Sequence, residues 1–150
     1  MKIAIASDHV GLELKKYIID HLKEKGIRVK DFGPFTNERV DYPDYGLIVG
    51  KEVVKKKFDY GILICGTGIG ISIAANKVPG IRAALCSDTF SAHATREHND
   101  ANILALGARV VARGLALDIV DVFLNGKFEG GRHTKRIKKI SNIEEEFMIK

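Results

Sequence analysis

Cys65 stands where a run of Ile62, Leu63 and Ile64 meets the glycine-rich stretch Gly66-Thr67-Gly68-Ile69-Gly70. Backbone amides in such a turn, at the start of a helix, bind a negatively charged oxygen. The same helix end favours the thiolate form of a thiol beside it. A base next to an anion cradle is the equipment for removing a proton α to a carbonyl, because the amides hold the charge of the enediolate that forms. Thr67, between glycines, can pass a proton between adjacent oxygens. The bland alternative is that Cys65 fills core as a small hydrophobe and the glycines only make a tight turn.

Other polar residues sit at element ends. Ser7-Asp8-His9 follows the first apolar run, Ser87-Asp88 follows the fourth, and Glu97-His98-Asn99-Asp100 precedes the fifth. Arg132 and Arg136 share one helix face at i and i+4, flanking His133 beside Gly130-Gly131. Two guanidiniums on one face suit a phosphate or carboxylate better than a long polyanion. Each position also has a structural reading. Asp8 can cap the first helix, His98 can close a later one, and Arg109 can be a surface ion-pair residue. His21 and His93 are read as structural.

The elements that must position these groups alternate along the chain. Residues 2–7, 27–32, 60–65, 81–87 and 102–107 read as strands whose continuous apolar character suits a parallel sheet covered on both faces. Between them, Leu12, Leu14, Tyr17, Ile18 and Leu22 mark a helix that Gly26 ends. Pro43 starts a second helix carrying Leu47, Ile48, Val53 and Val54. Asp88 caps a third, another runs from about Ala112 to Leu124, and the last begins near Thr134 with Ile137, Ile140, Ile143 and Phe147 as its seam. The pattern gives one α/β three-layer domain over residues 1–150. The final helix is expected at a homodimer contact. Ligands of such folds bind outside the carboxyl ends of the strands, and the chemically able residues are expected to gather at that one edge.

Composition narrows the partners. The 150 residues are 45% hydrophobic and 29% charged, with no apolar run long enough for a membrane span and no signal-peptide pattern at the start. Cys65 and Cys86 make no metal or disulfide pattern, as expected of reduced thiols in a cytoplasm. The absence of Gln, with abundant Lys, Glu and Ile, leans towards a thermophilic source. The net charge of +5 gathers in Lys127, Arg132, Lys135, Arg136, Lys138 and Lys139, with no interleaved aromatics to stack nucleic-acid bases. Neither a nucleic acid nor a membrane is an expected partner. A dinucleotide fingerprint has Ile71 at its third position, leaving only Asp88 at a ribose-binding distance. A nucleotide-binding loop would need Gly-Lys-Ser/Thr, and a cysteine phosphatase an Arg within Ile69-Gly70-Ile71-Ser72; neither is present.

The motifs ASDHVG (6–11), ERVDYPDY (38–45), CGTGIGISIAANK (65–77), REHNDANILALGARV (96–110) and FEGGRHTKRI (128–137) together resemble the ribose-5-phosphate isomerase B family. That group includes allose-6-phosphate isomerase and the subunits of galactose-6-phosphate isomerase. The resemblance covers nearly the whole chain. It implies a Rossmann-like five-stranded sheet and an aldose–ketose isomerase that uses no metal or other cofactor. It implies a homodimer, in some members paired into tetramers, with sites built from both subunits. Residue by residue, it makes Cys65 the base that moves the proton between C1 and C2. Relatives without this Cys use a Glu a few residues on, where this chain has none. Thr67 assists between O1 and O2, His98 opens the furanose ring, and Asp8 bonds sugar hydroxyls. His9, Arg132 and Arg136 hold the phosphate, with Gly66, Gly68 and Gly70 as the anion cradle. Asn99 and Arg109 complete the pocket, expected from the other subunit. The substrate is expected to be ribose 5-phosphate within the pentose phosphate pathway, or alternatively a six-carbon sugar phosphate. A non-catalytic phosphosugar-binding module is the competing class, although mere binding needs no thiol.

Overall fold

The apolar segments become five parallel strands in a computed structural model that describes residues 1–148. They are β1 (Lys2–Ser7), β2 (Arg28–Asp31), β3 (Tyr60–Cys65), β4 (Ala83–Leu85) and β5 (Ile103–Gly107), ordered β2-β1-β3-β5-β4 across the sheet. The helices are α1 (Leu12–Glu24), α2 (Tyr42–Val54), α3 (Ile69–Ala75), α4 (Thr89–Asn99), α5 (Arg113–Asn125) and α6 (Arg132–Phe147). This is the expected three-layer α/β architecture.

Alternation along the central strands feeds two cores. Ile3, Ile5, Ile62, Ile64, Leu104 and Leu106 pack with Ile18, Leu22, Ile119 and Phe123 of α1 and α5. Ala4, Ala6, Leu63, Cys65, Ile103 and Ala105 face Val49, Val53, Ile71 and Ala75 of α2 and α3. The strand order reverses at β1, which has β2 on one side and β3 on the other. Register aligns Ser7 with Ile64 and Cys65 with Gly107, so three strand ends finish level with one another.

Local rules explain most boundaries. Gly26 leaves α1 at φ +73°, and the Asp88 carboxylate accepts the Ser91 N–H to start α4. Two expectations need correction. The fourth strand is only Ala83–Leu85: the Arg82 carbonyl still accepts the Asn102 N–H, but the Arg82 N–H is taken by the Asn102 side chain instead of a strand partner. On α2, Leu47, Ile48 and Val54 are exposed, and of the four expected apolar positions only Val53 is buried. Gly46 and Gly50 form the contact face instead, where a Cβ on Gly46 would lie 3.1 Å from the Ile71 carbonyl oxygen. Absence of side chains brings α2 and α3 together.

Gly61 occupies the tightest position at the centre of the sheet: a Cβ there would lie 2.6 Å from Val49 Cγ1 and 2.9 Å from Ile103 Cγ1. Gly61→Ala is therefore expected to cost about 1–3 kcal/mol of stability by overpacking. Chemical denaturation would read this as a lower midpoint at unchanged slope, and an unmoved midpoint would contradict the packing described.

Candidate active site

The β3–α3 loop is held from three sides. Gly68 adopts φ +78°, a left-handed conformation that turns its own N–H back onto Cys65 Sγ at 3.1 Å. An N–H donated to sulfur stabilises that sulfur when it carries negative charge. Ala108 N–H donates to the Cys65 carbonyl and Arg109 N–H to the Gly66 carbonyl, both at 2.9 Å, tying the loop to the segment after β5. Ile69 N–H donates to Thr67 Oγ1 at 3.2 Å. The Gly68 and Ile69 amides are thus engaged inside the loop. The cradle left for a ligand oxygen is narrower than the expected span of Gly66 through Gly70.

Asp8 and His9 stand at the adjoining end of β1. Asp8 N–H donates to the Ile64 carbonyl at 2.9 Å, and the Asp8 carboxylate accepts the Gly11 N–H at 3.0 Å. Asp8 therefore does cap the turn into the first helix, and it does so through Oδ1. His9 accepts the Val40 N–H through Nδ1 at 3.3 Å, which leaves the Nε2–H to donate outward. Arg109, expected from a neighbouring subunit, instead belongs to its own chain's loop. A Cβ on Gly66 would sit 3.4 Å from the Arg109 guanidinium.

Two residues of this edge escaped sequence reasoning. Tyr42 covers Gly70 so closely that a Cβ there would fall 2.6 Å from the phenol ring. Its one signal was its place in the 38–45 motif. Lys15 is fully buried and donates to Asp31 at 2.8 Å and to the Pro34 carbonyl at 2.6 Å, fixing the start of the loop that reaches His9. Burial pushes the Lys15 ammonium below its ordinary pKa, against the opposing hydrogen bond and charge of Asp31. A lysine on an amphipathic helix gives no sequence sign of being inside. Cys86 is also buried, and desolvation, with the Asp88 charge, raises its pKa to about 11. That thiol is held in its neutral form, unlike a general base.

The remaining candidates lie elsewhere. Helix α4 runs back across the sheet, so His98 and Asn99 reach the amino end of β5 rather than its carboxyl end. Gly61 N–H donates to the Asn102 carbonyl, and Arg82 Nε donates to the Asn99 carbonyl, at the amino ends of β3 and β4. Since Ile103 pairs with Gly61 and Gly107 with Cys65, about 13 Å of strand separates that end from Cys65 at ~3.3 Å per residue. Glu129 N–H donates to the Glu97 carbonyl, which brings Arg132 and Arg136 to the same end. The expectation that all these groups gather at one edge is therefore wrong for a single chain. In a parallel sheet, a helix that follows one strand must end where the next begins. Asp8, His9, Cys65, Thr67, Gly66, Gly68, Gly70 and Arg109 mark one edge; His98, Asn99, Arg132 and Arg136 mark the other.

At that second edge the His98 and His133 rings stack with centroids 4.4 Å apart and planes 10° from parallel. His133 is buried, and burial first, then the positive charges of His98, Arg132 and Arg136, push its pKa below the ordinary 6.5, with Glu129 opposing.

A family model described as ribose/galactose isomerase matches residues 3–140. Ribose-5-phosphate isomerase B of Escherichia coli is 53% identical over 144 residues, spanning 96% of this chain and 97% of its own. The solved ribose-5-phosphate isomerase B of Clostridium thermocellum superposes with a TM-score of 0.98 at 59% identity, covering 99% of this chain and 100% of that one. The enzyme from Mycoplasma genitalium, solved with bound ribulose-5-phosphate, gives a TM-score of 0.93 at 49% identity and covers 97% of each chain.

The stacked histidines give the second edge a pH signature. Because the folded state holds His133 below its ordinary pKa of 6.5, the unfolded chain binds that proton more readily. The contribution to stability is present above 6.5 and is lost as pH falls towards the lower native value. Between about pH 7 and pH 5, the unfolding midpoint of wild type should therefore fall more than that of His133→Asn. Parallel falls in the two proteins would contradict the environment described.

Proposed function

This chain belongs to the ribose/galactose isomerase family, and we infer from that premise that it interconverts ribose 5-phosphate and ribulose 5-phosphate through an enediolate. Relatives named for the five-carbon substrate, one of them solved with ribulose-5-phosphate, direct the reading to pentose rather than hexose phosphates. The observation that carries the chemistry is the hydrogen bond from Gly68 N–H to Cys65 Sγ, which supports a charged sulfur at a strand end lined by spare amides.

In the proposed reaction His98 relays the proton from the C1 hydroxyl to the ring oxygen, and the furanose opens to the aldehyde. The Cys65 thiolate then takes the C2 proton. Charge moves onto O1, where the amides of Gly66, Thr67 and Gly70 stabilise it. Thr67 Oγ1 passes the O2 proton to O1, and the Cys65 thiol returns its proton to C1, giving the ketose and the thiolate. Asp8 orients the sugar hydroxyls. His9, Arg109, Arg132 and Arg136 hold the phosphate, and Asn99 closes the pocket. No step in this scheme passes through a metal or cofactor.

His98, Asn99, Arg132 and Arg136 can meet Cys65 only if they come from a second copy of the chain. A homodimer is therefore part of the proposal. It is supported by the seam of α6, where Ile140, Ile143 and Phe147 are exposed and Ile137 is half-buried. A groove of about 970 Å³ lies between this seam and Ile81, Ala83 and Ala101, and a second copy would cover it. We place the enzyme in the pentose phosphate pathway of the cytoplasm, consistent with two free, buried cysteines.

Subunit complementation tests the shared site. Cys65→Ala and His98→Ala proteins should each have little activity on ribose 5-phosphate, whereas a mixture that has exchanged subunits should regain up to about half the wild-type sites in mixed dimers. Exchange proven by mass spectrometry without recovered turnover would contradict a site built from two chains.

A further inference from the structure

Glu129 and His133 carry no role in the reaction just proposed, yet they meet His98 in a cluster with a specific chemistry. One donor atom from each of the three residues lies within 4.8 Å of the other two. His133 Nε2 is 3.6 Å from Glu129 Oε2, too long for a hydrogen bond. The His133 ring is more than nine-tenths buried, and its Nε2 has no hydrogen-bond partner among the described residues. A buried ring nitrogen without a partner is unusual; this one lies 3.6 Å from a carboxylate oxygen, while the His98 ring stacks on the face of its own ring. We propose that His98, Glu129 and His133 form a binding site for a divalent cation of the zinc, cobalt or nickel type.

The backbone builds the site. Gly130 and Gly131 take φ +68° and +55°, turning the chain so that the Glu129 carboxylate reaches the ring four residues on. Glu129 N–H is anchored on the Glu97 carbonyl at 3.1 Å, and His133 N–H on the Gly130 carbonyl at 3.0 Å. Two imidazoles and one carboxylate select zinc, cobalt or nickel over magnesium or calcium, which prefer all-oxygen sets. Ligands at 2.0–2.2 Å from one ion lie about 3–4 Å from each other. The His133–Glu129 spacing already fits; His98 must turn its ring out of the parallel stack for its lone pair to point at the same ion. Arg132 and Arg136, on the same helix as His133, oppose a cation, and the three ligands must bind it against that charge. Three protein ligands leave a position open for water or an anion.

Binding has a consequence that rests on the ring-opening role given to His98: the ion would occupy the nitrogen that relays the proton, and turnover would fall. The site itself does not depend on that role, and cobalt spectroscopy reads it directly. Co²⁺ titrated into the full-length protein should give visible d–d bands saturating at one ion per chain, without the near-ultraviolet band of a cobalt–thiolate bond. Zn²⁺ should displace it. Affinity should drop at least ~10-fold in Glu129→Gln, an exposed position, and in His133→Asn, with wild-type affinity kept in Cys65→Ser. No saturable cobalt spectrum, a thiolate band, or equal affinity in Glu129→Gln and wild type would overturn the proposal. Zn²⁺ should also inhibit wild type more strongly than Glu129→Gln. If the cobalt spectrum and its losses appear but turnover on ribose 5-phosphate is untouched by Zn²⁺, the metal site stands and the role of His98 fails.

Discussion

The hydrogen bond between Gly68 N–H and Cys65 Sγ depends on a backbone conformation that almost no other residue could hold, and the neighbourhood is arranged around it. A Cβ on Gly68 would lie 2.5 Å from Leu85 Cδ1 and 2.8 Å from the Leu106 carbonyl carbon. A Cβ on Gly107 would lie 2.5 Å from the Thr67 carbonyl oxygen. The loop and the end of β5 are thus in backbone contact, and two amides of the following segment hold the loop carbonyls. Left-handed glycine, close strand and fixed loop form a single constraint. Its result is a sulfur that faces an amide donor before any substrate arrives, which is what electrostatic preorganisation requires.

A second constraint follows from the parallel sheet. Every helix between strands carries the chain from one edge back to the other, so residues at helix ends and residues at strand ends are held apart. Within one chain the thiol stands at one edge of the sheet and His98 with the two arginines at the other, so the proposed site needs both edges. The proposed homodimer would remove the difficulty and cover an apolar seam that α6 leaves exposed. The metal site proposed at His133 grows from the same arrangement: where α6 meets α4, a buried ring nitrogen has no hydrogen-bond partner among the described residues.

Much of this was legible in the sequence. Apolar runs gave β1 and β3 to the residue, because buried central strands tolerate little else. Gly26 and Asp88 marked helix ends through their own local chemistry. The loop after β3 stood out because its glycines had no business in a buried strand except to make room for backbone. Other features were hidden for physical reasons. The buried face of α2 is made by Gly46 and Gly50, which hydrophobicity does not register. Lys15 lies inside because Asp31 and the Pro34 carbonyl satisfy it, a long-range pairing no local pattern carries. His98 does not meet Cys65 within one chain because it lies at the amino end of β5 and Cys65 at the carboxyl end of β3, a distinction that nearness in sequence does not carry. Arg109 lies beside Gly66 of its own chain because β5 exits next to β3, a neighbourhood no local pattern carries.

The central claim is that Cys65 removes the proton next to the carbonyl, separately from ring opening. The most direct test follows enzyme-dependent exchange of the C1 or C2 hydrogen with heavy water by NMR, in wild type and Cys65→Ser. The substitution keeps the shape of the site and replaces the thiol with a hydroxyl too weakly acidic to serve as the base. The account predicts near wild-type affinity for ribose 5-phosphate, with exchange reduced by about 10²–10⁴-fold, the usual contribution of general base catalysis. Brisk exchange in Cys65→Ser would contradict it and move the base to another group.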